Sequence, residues 1–199
     1  SAGRIDHPNV VRIFDVGRLP DGAPYIVMEL LEGQELSKLL AAERLTLARV
    51  ATLASQLLSG LERAHAMRVV HRDIKPDNLF LTRERGAEVL KILDFSIAKD
   101  QGAASLTNDG DVLGTPHYLA PEQAMGKGVD ARADLWSTAV VTYEMLTGRP
   151  PFEGGSFPEL AMKIIGATPT APSASVDGVP PEVDTFFVRA LAKDPAERF

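Results

Sequence analysis

The stretch His71-Arg72-Asp73-Ile74-Lys75-Pro76-Asp77-Asn78 places a carboxylate, a cation and a neutral amide within a few residues of one another. Asp94 follows at the end of an apolar run, in Leu93-Asp94-Phe95. Moving a phosphoryl group onto a hydroxyl needs a base to orient the hydroxyl and take its proton, a cation against the phosphate charge, and oxygen ligands for a metal. Asp73 can be that base and Lys75 that cation, while Asn78 and Asp94 offer the oxygen ligands. A strand–loop–strand arrangement is required to bring Asp94 near Asn78. Without that convergence, the eight residues are only a charged surface loop.

The elements that must supply this arrangement can be traced along the chain. Val10–Val16 and Tyr25–Leu30 are rich in β-branched and aromatic residues and predict strands, and Pro20-Asp21-Gly22-Ala23-Pro24 between them predicts a hairpin turn. Thr46 predicts the N-cap of a long helix, with Leu45 and Val50 placed as a hydrophobic staple. Val50, Leu53, Ala54, Leu57, Leu58 and Leu61 then recur at helical spacing. Short strands are expected at Val69-Val70, Leu79–Leu81 and Val89–Leu93, around the polar loop. A buried helix is expected from about Ala133 to Leu146, ended by Gly148 and Pro150-Pro151. Two more are expected at Ser156–Ile165 and Pro181–Ala192, with a loop over 168–180. Strands first and helices later make the class α+β.

Composition narrows the function. The 199 residues are 45% hydrophobic and 24% charged, which describes a globular chain able to bury a core. A net charge of −6 argues against a surface-wide nucleic-acid footprint and leaves room for a local acidic patch facing basic substrates. The absence of cysteine removes disulfides, Cys-ligated zinc and thiol catalysis. No histidine pair has metal-ligand spacing, so no zinc is expected. No apolar run reaches the ~20 residues of a membrane helix, and Ser1–Arg4 is not a signal peptide. Both ends read as cuts through a longer protein.

The string from His71 to Asn78 resembles the catalytic loop of the eukaryotic-type protein kinases, H-R-D-x-K-x-x-N. Other motifs follow in that family's order: Gly114–Tyr118 before Ala120-Pro121-Glu122, then Asp134-Leu135-Trp136-Ser137, then Arg198. The resemblance runs from His7-Pro8-Asn9 to Arg198. The wording of Pro121–Ala124 and Thr147–Phe152 is similar to bacterial Ser/Thr kinases of the receptor type. It implies a kinase-like fold over residues 1–199, with 1–30 a remnant of the N-lobe carrying the hairpin and hinge, and 31–199 the C-lobe. Further roles follow from the resemblance. Asp73 is the base. Asn78 and Asp94 are ligands of Mg²⁺ (or Mn²⁺). Lys75 indicates Ser/Thr specificity. Met28 is the gatekeeper of an ATP site, the backbones of Glu29 and Leu31 meet adenine, and Phe80 lies under the ring. Asp134 steadies the catalytic loop, and Glu122 pairs with Arg198. Arg72 is the partner of an activation-loop phosphate on Thr107, beside Asp109, while Thr115 contacts the catalytic loop. The implied protein is cytoplasmic, with an anchor in its parent left open. It takes protein substrates with Ser or Thr, and homodimers are one route to trans-autophosphorylation.

Two departures qualify the match. No Gly-rich loop and no Val-Ala-x-Lys strand occurs in these residues, so the 199 residues alone are expected to bind ATP weakly and transfer phosphate poorly. Asp94-Phe95-Ser96 stands where the family has D-F-G. Two other readings compete. One is a non-catalytic pseudokinase acting as an interaction module, which has no need of Asp73, Lys75, Asn78 and Asp94 together. The other is a small-molecule phosphotransferase, which lacks the Ala-Pro-Glu segment.

Overall fold

The computed structural model describes residues 5–95 and 116–199. Thr107 and Thr115, together with Ser96, Ser105 and Asp109, lie outside the described residues. Strands β1 (Ile13–Arg18) and β2 (Pro24–Met28) form the expected antiparallel hairpin, with Ile13 opposite Met28 and Arg18 opposite Pro24. The turn closes by Leu19 N–H donating to Ala23 O at 2.8 Å, and Gly22 N–H to Leu19 O at 2.8 Å.

The first strand begins later than the sequence pattern suggests. Val10 and Val11 are buried in the main core rather than paired with β2. Val10 bridges Ile92 in parallel, Ile92 N–H donates to Asn9 O at 2.9 Å, and Val11 N–H donates to Ile92 O at 3.0 Å. A β-rich string was therefore divided between two partners.

A second sheet carries the polar loop. Strand β3 (Gly33–Glu35) pairs with β4 (Leu79–Glu84), which pairs with β5 (Ala87–Ile92), all antiparallel. Between β3 and β4 lie helix α1 (Leu36–Ala42) and helix α2 (Leu47–Ala66). Thr46 caps α2 by accepting from Arg49 N–H at 3.3 Å. The buried face of α2 is Val50, Leu53, Leu57, Gly60, Leu61 and Ala64, while Leu58 sits at its exposed edge. Gly60 permits a close approach, since a Cβ there would lie 2.7 Å from the Ile92 side chain and 3.1 Å from Asn9 O. That contact seats α2 directly on the strand that leads to Asp94. Gln56 of α2 completes the seam: its Oε1 accepts from Leu90 N–H at 2.7 Å and from Asn9 Nδ2 at 3.1 Å.

The expected strand at Val69-Val70 does not form; these residues are irregular and half-buried. Met67 N–H and Val69 N–H both donate to Ala64 O at 3.0 Å, so the backbone is spent on closing α2. Arg68 adopts φ 60° in that turn.

The helical half follows α3 (Pro121–Ala124), α4 (Ala131–Thr147), α5 (Phe157–Gly166) and α6 (Pro181–Ala190). Helix α4 is buried on nearly all sides and lies against α2 and α6. Asp130 caps its start by accepting from Arg132 N–H at 2.8 Å. Gly148 ends it at φ 75°, a left-handed C-cap that favours glycine. Helices α2 and α4 pack against each other, and the loop between α2 and β4 is bonded to α4.

Candidate active site

The loop 71–78 is fixed from below by one buried carboxylate. Asp134, on the first turn of α4, has no exposed surface. Its Oδ2 accepts from His71 N–H at 2.8 Å and from His65 Nε2 at 2.7 Å, and its Oδ1 accepts from Arg72 N–H at 2.8 Å. A buried carboxylate is tolerable only when its lone pairs are met in this way. The sequence reading placed Asp134 under the loop. His65 is the third donor to Asp134.

His71 ties the loop to β5. Its Nε2 lies 2.8 Å from Leu93 O, and Asp73 N–H donates to its Nδ1 at 3.3 Å. A carbonyl only accepts and an amide N–H only donates, so the ring is neutral with its proton on Nε2. Burial pushes the His71 pKa down and keeps it in that form. Its ring meets Phe95 edge-on, with centroids 4.7 Å apart. Arg72 and Asp94 both adopt left-handed backbones, φ 68° and φ 50°. Non-glycine residues hold such angles only where their surroundings over-determine them.

Asp73, Lys75 and Asn78 meet around one carboxylate. Asn78 Nδ2 donates to Asp73 O at 2.8 Å and to Asp73 Oδ2 at 3.2 Å. Lys75 Nζ lies 3.3 Å from Asp73 Oδ2. The Asp73 side chain keeps 43% of its surface exposed, so it can meet a substrate. Asn78 has no further amide proton to spend, which leaves its Oδ1 as the acceptor face. Asn78 O also accepts from Leu93 N–H at 2.8 Å, the residue before Asp94. The strand–loop–strand prerequisite is thus met in the backbone.

At the end of β2, Glu29 N–H donates to Arg12 O at 2.9 Å. The Glu29 side chain is pinned as well: it accepts from Arg12 N–H at 2.8 Å, and Lys91 Nζ lies 3.2 Å from its Oε1. Lys91 Nζ also lies 2.9 Å from Glu84 Oε1. Burial works against the Lys91 charge, but Glu84 and Glu29 more than offset it and its pKa is raised. Lys91 stands opposite Phe80 in the β4–β5 register, next to the expected ring platform. Nothing local in the sequence marks Lys91, since a lysine in a strand signals only an exposed face.

The segment after residue 115 docks on α4 and on the loop. Tyr118 Oη donates to Glu144 Oε2 at 2.7 Å, and Ser137 Oγ donates to Tyr118 O at 2.7 Å. Burial raises the pKa values of Tyr118 and Glu144. Glu122 and Arg198 form a two-pronged ion pair, with Nη1–Oε1 and Nη2–Oε2 both at 2.8 Å. Gln123 reaches the loop itself, its Nε2 donating to Arg72 O at 3.0 Å. Among the described residues no group of three or more His, Cys, Asp or Glu side chains is placed to hold a metal. Also among them, no helix is long and apolar enough to cross a membrane.

Residues 2–199 match the model of the protein kinase domain. The chain is 40% identical over its whole length to the serine/threonine-protein kinase pkn3 of Myxococcus xanthus, covering 38% of that protein. It is 43% identical over 98% of its length to Pkn1 of the same organism, covering 28% of it. It is 36% identical to the serine/threonine-protein kinase PrkC of Bacillus subtilis, covering 30% of it. The chain thus spans about a third of the length of these curated relatives.

Proposed function

The chain belongs to the protein kinase domain family, and from that premise we propose that it supplies the catalytic loop of a Ser/Thr protein kinase that moves the γ-phosphoryl group of ATP to protein hydroxyls. The observation that carries this reading is the Asp73–Lys75–Asn78 cluster, on a loop bonded to Asp134, with Asp73 accessible. The relatives' names give the same activity class.

The donor set fits a magnesium ion bound together with nucleotide phosphates. Mg²⁺ is usually held by one or two carboxylates, with phosphates and waters completing its shell. Asp94 supplies such a carboxylate, and the Asn78 amide protons, both turned toward Asp73, leave Oδ1 to act as an oxygen ligand. The ion, when bound, neutralises phosphate charge. The chain's own residues do the rest. Asp73 orients the substrate hydroxyl and accepts its proton as the hydroxyl oxygen bonds to phosphorus and the bond to the leaving oxygen breaks. Lys75 balances the negative charge beside Asp73. Met28, Glu29 and Leu31 border the adenine end, with Phe80 beneath it. Residues 1–30 then belong to the N-lobe and 31–199 to the C-lobe. Arg72 would pair with a phosphate on Thr107.

The reading is tested by ATP-dependent phosphorylation of a Ser/Thr substrate by the whole protein. Asp73→Asn should lower kcat by about 10²–10⁴-fold, the range of a lost general base. A whole protein without transfer activity would leave the chain an interaction module. These 199 residues alone should transfer far more slowly than the whole protein, because the Lys and Gly-rich loop that clamp phosphates are not among them.

A further inference from the structure

Gln123 belongs to none of the roles above, yet both ends of its side-chain amide are engaged. Its Oε1 accepts from Ala120 N–H at 2.9 Å, fixing the side chain to the start of α3. Its Nε2 donates to Arg72 O at 3.0 Å, 51 positions away in sequence. The Arg72 carbonyl and the Asp73 N–H are two ends of one peptide plane. Gln123 holds the carbonyl end, and His71 Nδ1 accepts from the other end at 3.3 Å. The preceding plane is held by Asp134 Oδ1 through Arg72 N–H. Arg72 sits at φ 68° between these contacts, a conformation that needs outside support. The direction in which Asp73 projects follows from that peptide plane. The neighbouring residue Glu122 is buried and bound to Arg198, so Gln123 approaches the loop from a fixed base.

We propose that Gln123 is a positioning residue for Asp73: its amide locks the Arg72–Asp73 peptide and makes the aim of the base depend on the seating of the Ala120–Gln123 turn. This rests on the kinase reading. It deepens that reading by naming a link through which the segment ending at α3 governs the chemical step.

The test separates the two halves of the amide, in the whole protein. Gln123→Glu keeps an oxygen for Ala120 N–H and loses the donor to Arg72 O, placing a carboxylate against that carbonyl. Gln123→Met keeps the length and loses both bonds. Both variants should lose about tenfold or more in kcat, the scale of one lost hydrogen bond, with KM for ATP unchanged and melting temperature nearly so. Amide hydrogen exchange at Asp73 should quicken by a similar factor in both. If Gln123→Glu keeps wild-type kcat and exchange while Gln123→Met does not, the side chain serves only to start α3, and the proposal is overturned. A loss of kcat that merely tracks a fall in melting temperature overturns it as well. An inactive wild type would sink the kinase reading alone, since exchange at Asp73 still decides whether Gln123 holds the loop.

Discussion

Arg198 meets Glu122 across 76 positions of sequence with two parallel contacts of 2.8 Å, and both side chains are almost wholly buried. The guanidinium leaves nothing unmet. Nε donates to Ala192 O at 2.9 Å, Nη1 also to Arg132 O at 3.0 Å, and Nη2 also to Lys193 O at 3.2 Å. All of its donors are therefore used. Arg198→Met should destabilise the domain by roughly 3–5 kcal/mol, because Glu122 is left as an uncompensated buried charge. Urea unfolding measures this, and Glu122→Leu combined with Arg198→Met should recover part of the loss. A strictly additive double variant would deny the coupling.

Asp134 accepts from two backbone N–H groups and one imidazole. Asp134→Asn replaces one acceptor oxygen with an NH₂ that faces donors. The variant should lose about 1–3 kcal/mol per unsatisfied buried group. The loss should localise: amide exchange at His71 and Arg72 should quicken more than exchange within α4. Uniform quickening would mean that Asp134 supports the fold generally and not the loop.

Lys91 reaches from β5 to Glu29 at the end of β2, and to Glu84. Lys91→Met should loosen Glu29 and raise KM for ATP several-fold in the whole protein, with kcat little changed. Stability should fall by about 1–3 kcal/mol, since a mostly buried acceptor loses its charged donor. A change confined to kcat would contradict the placement of residues 28–31 at the nucleotide.

Lys193 has its pKa lowered to about 8 by burial and by the nearby Arg198 charge, although its Nζ donates to Ile164 O at 2.7 Å and lies 4.1 Å from the Phe152 ring centre. The unfolded chain holds that proton up to the ordinary lysine range, so between the two values the unfolded state binds more protons. Stability contributed at this site therefore rises with pH above about 8 and levels off near 10.5. Thermal unfolding of the wild type and of Lys193→Met should diverge over that window, the wild type gaining relative to the variant. Parallel curves would refute it.

The parts legible in the sequence are those fixed by local chemistry. Pro20–Pro24 announced its hairpin, Thr46 its helix start and Gly148 a helix end. The string 71–78 stood out because it sets a carboxylate, a cation and an amide close together, and the structure clusters Asp73, Lys75 and Asn78. What escaped was set by distant partners. Val69-Val70 has strand composition, but its amides close the end of α2. The short helix α1 has too few turns to show a period. His65 and Gln123 look like ordinary helix-end and turn residues until their partners, Asp134 and Arg72, arrive from 69 and 51 positions away.

The bridge between Val10 and Ile92 has a mechanical meaning. It stitches the chain entering the β1–β2 hairpin to β5, two residues before Asp94, through Ile92 N–H and Ile92 O. The hairpin thus has two attachments to the helical body, one through residues 29–31 and one through this stitch. Both backbone groups of Ile92 make the stitch, so a displacement of the hairpin that keeps it intact pulls on the chain two positions before Asp94.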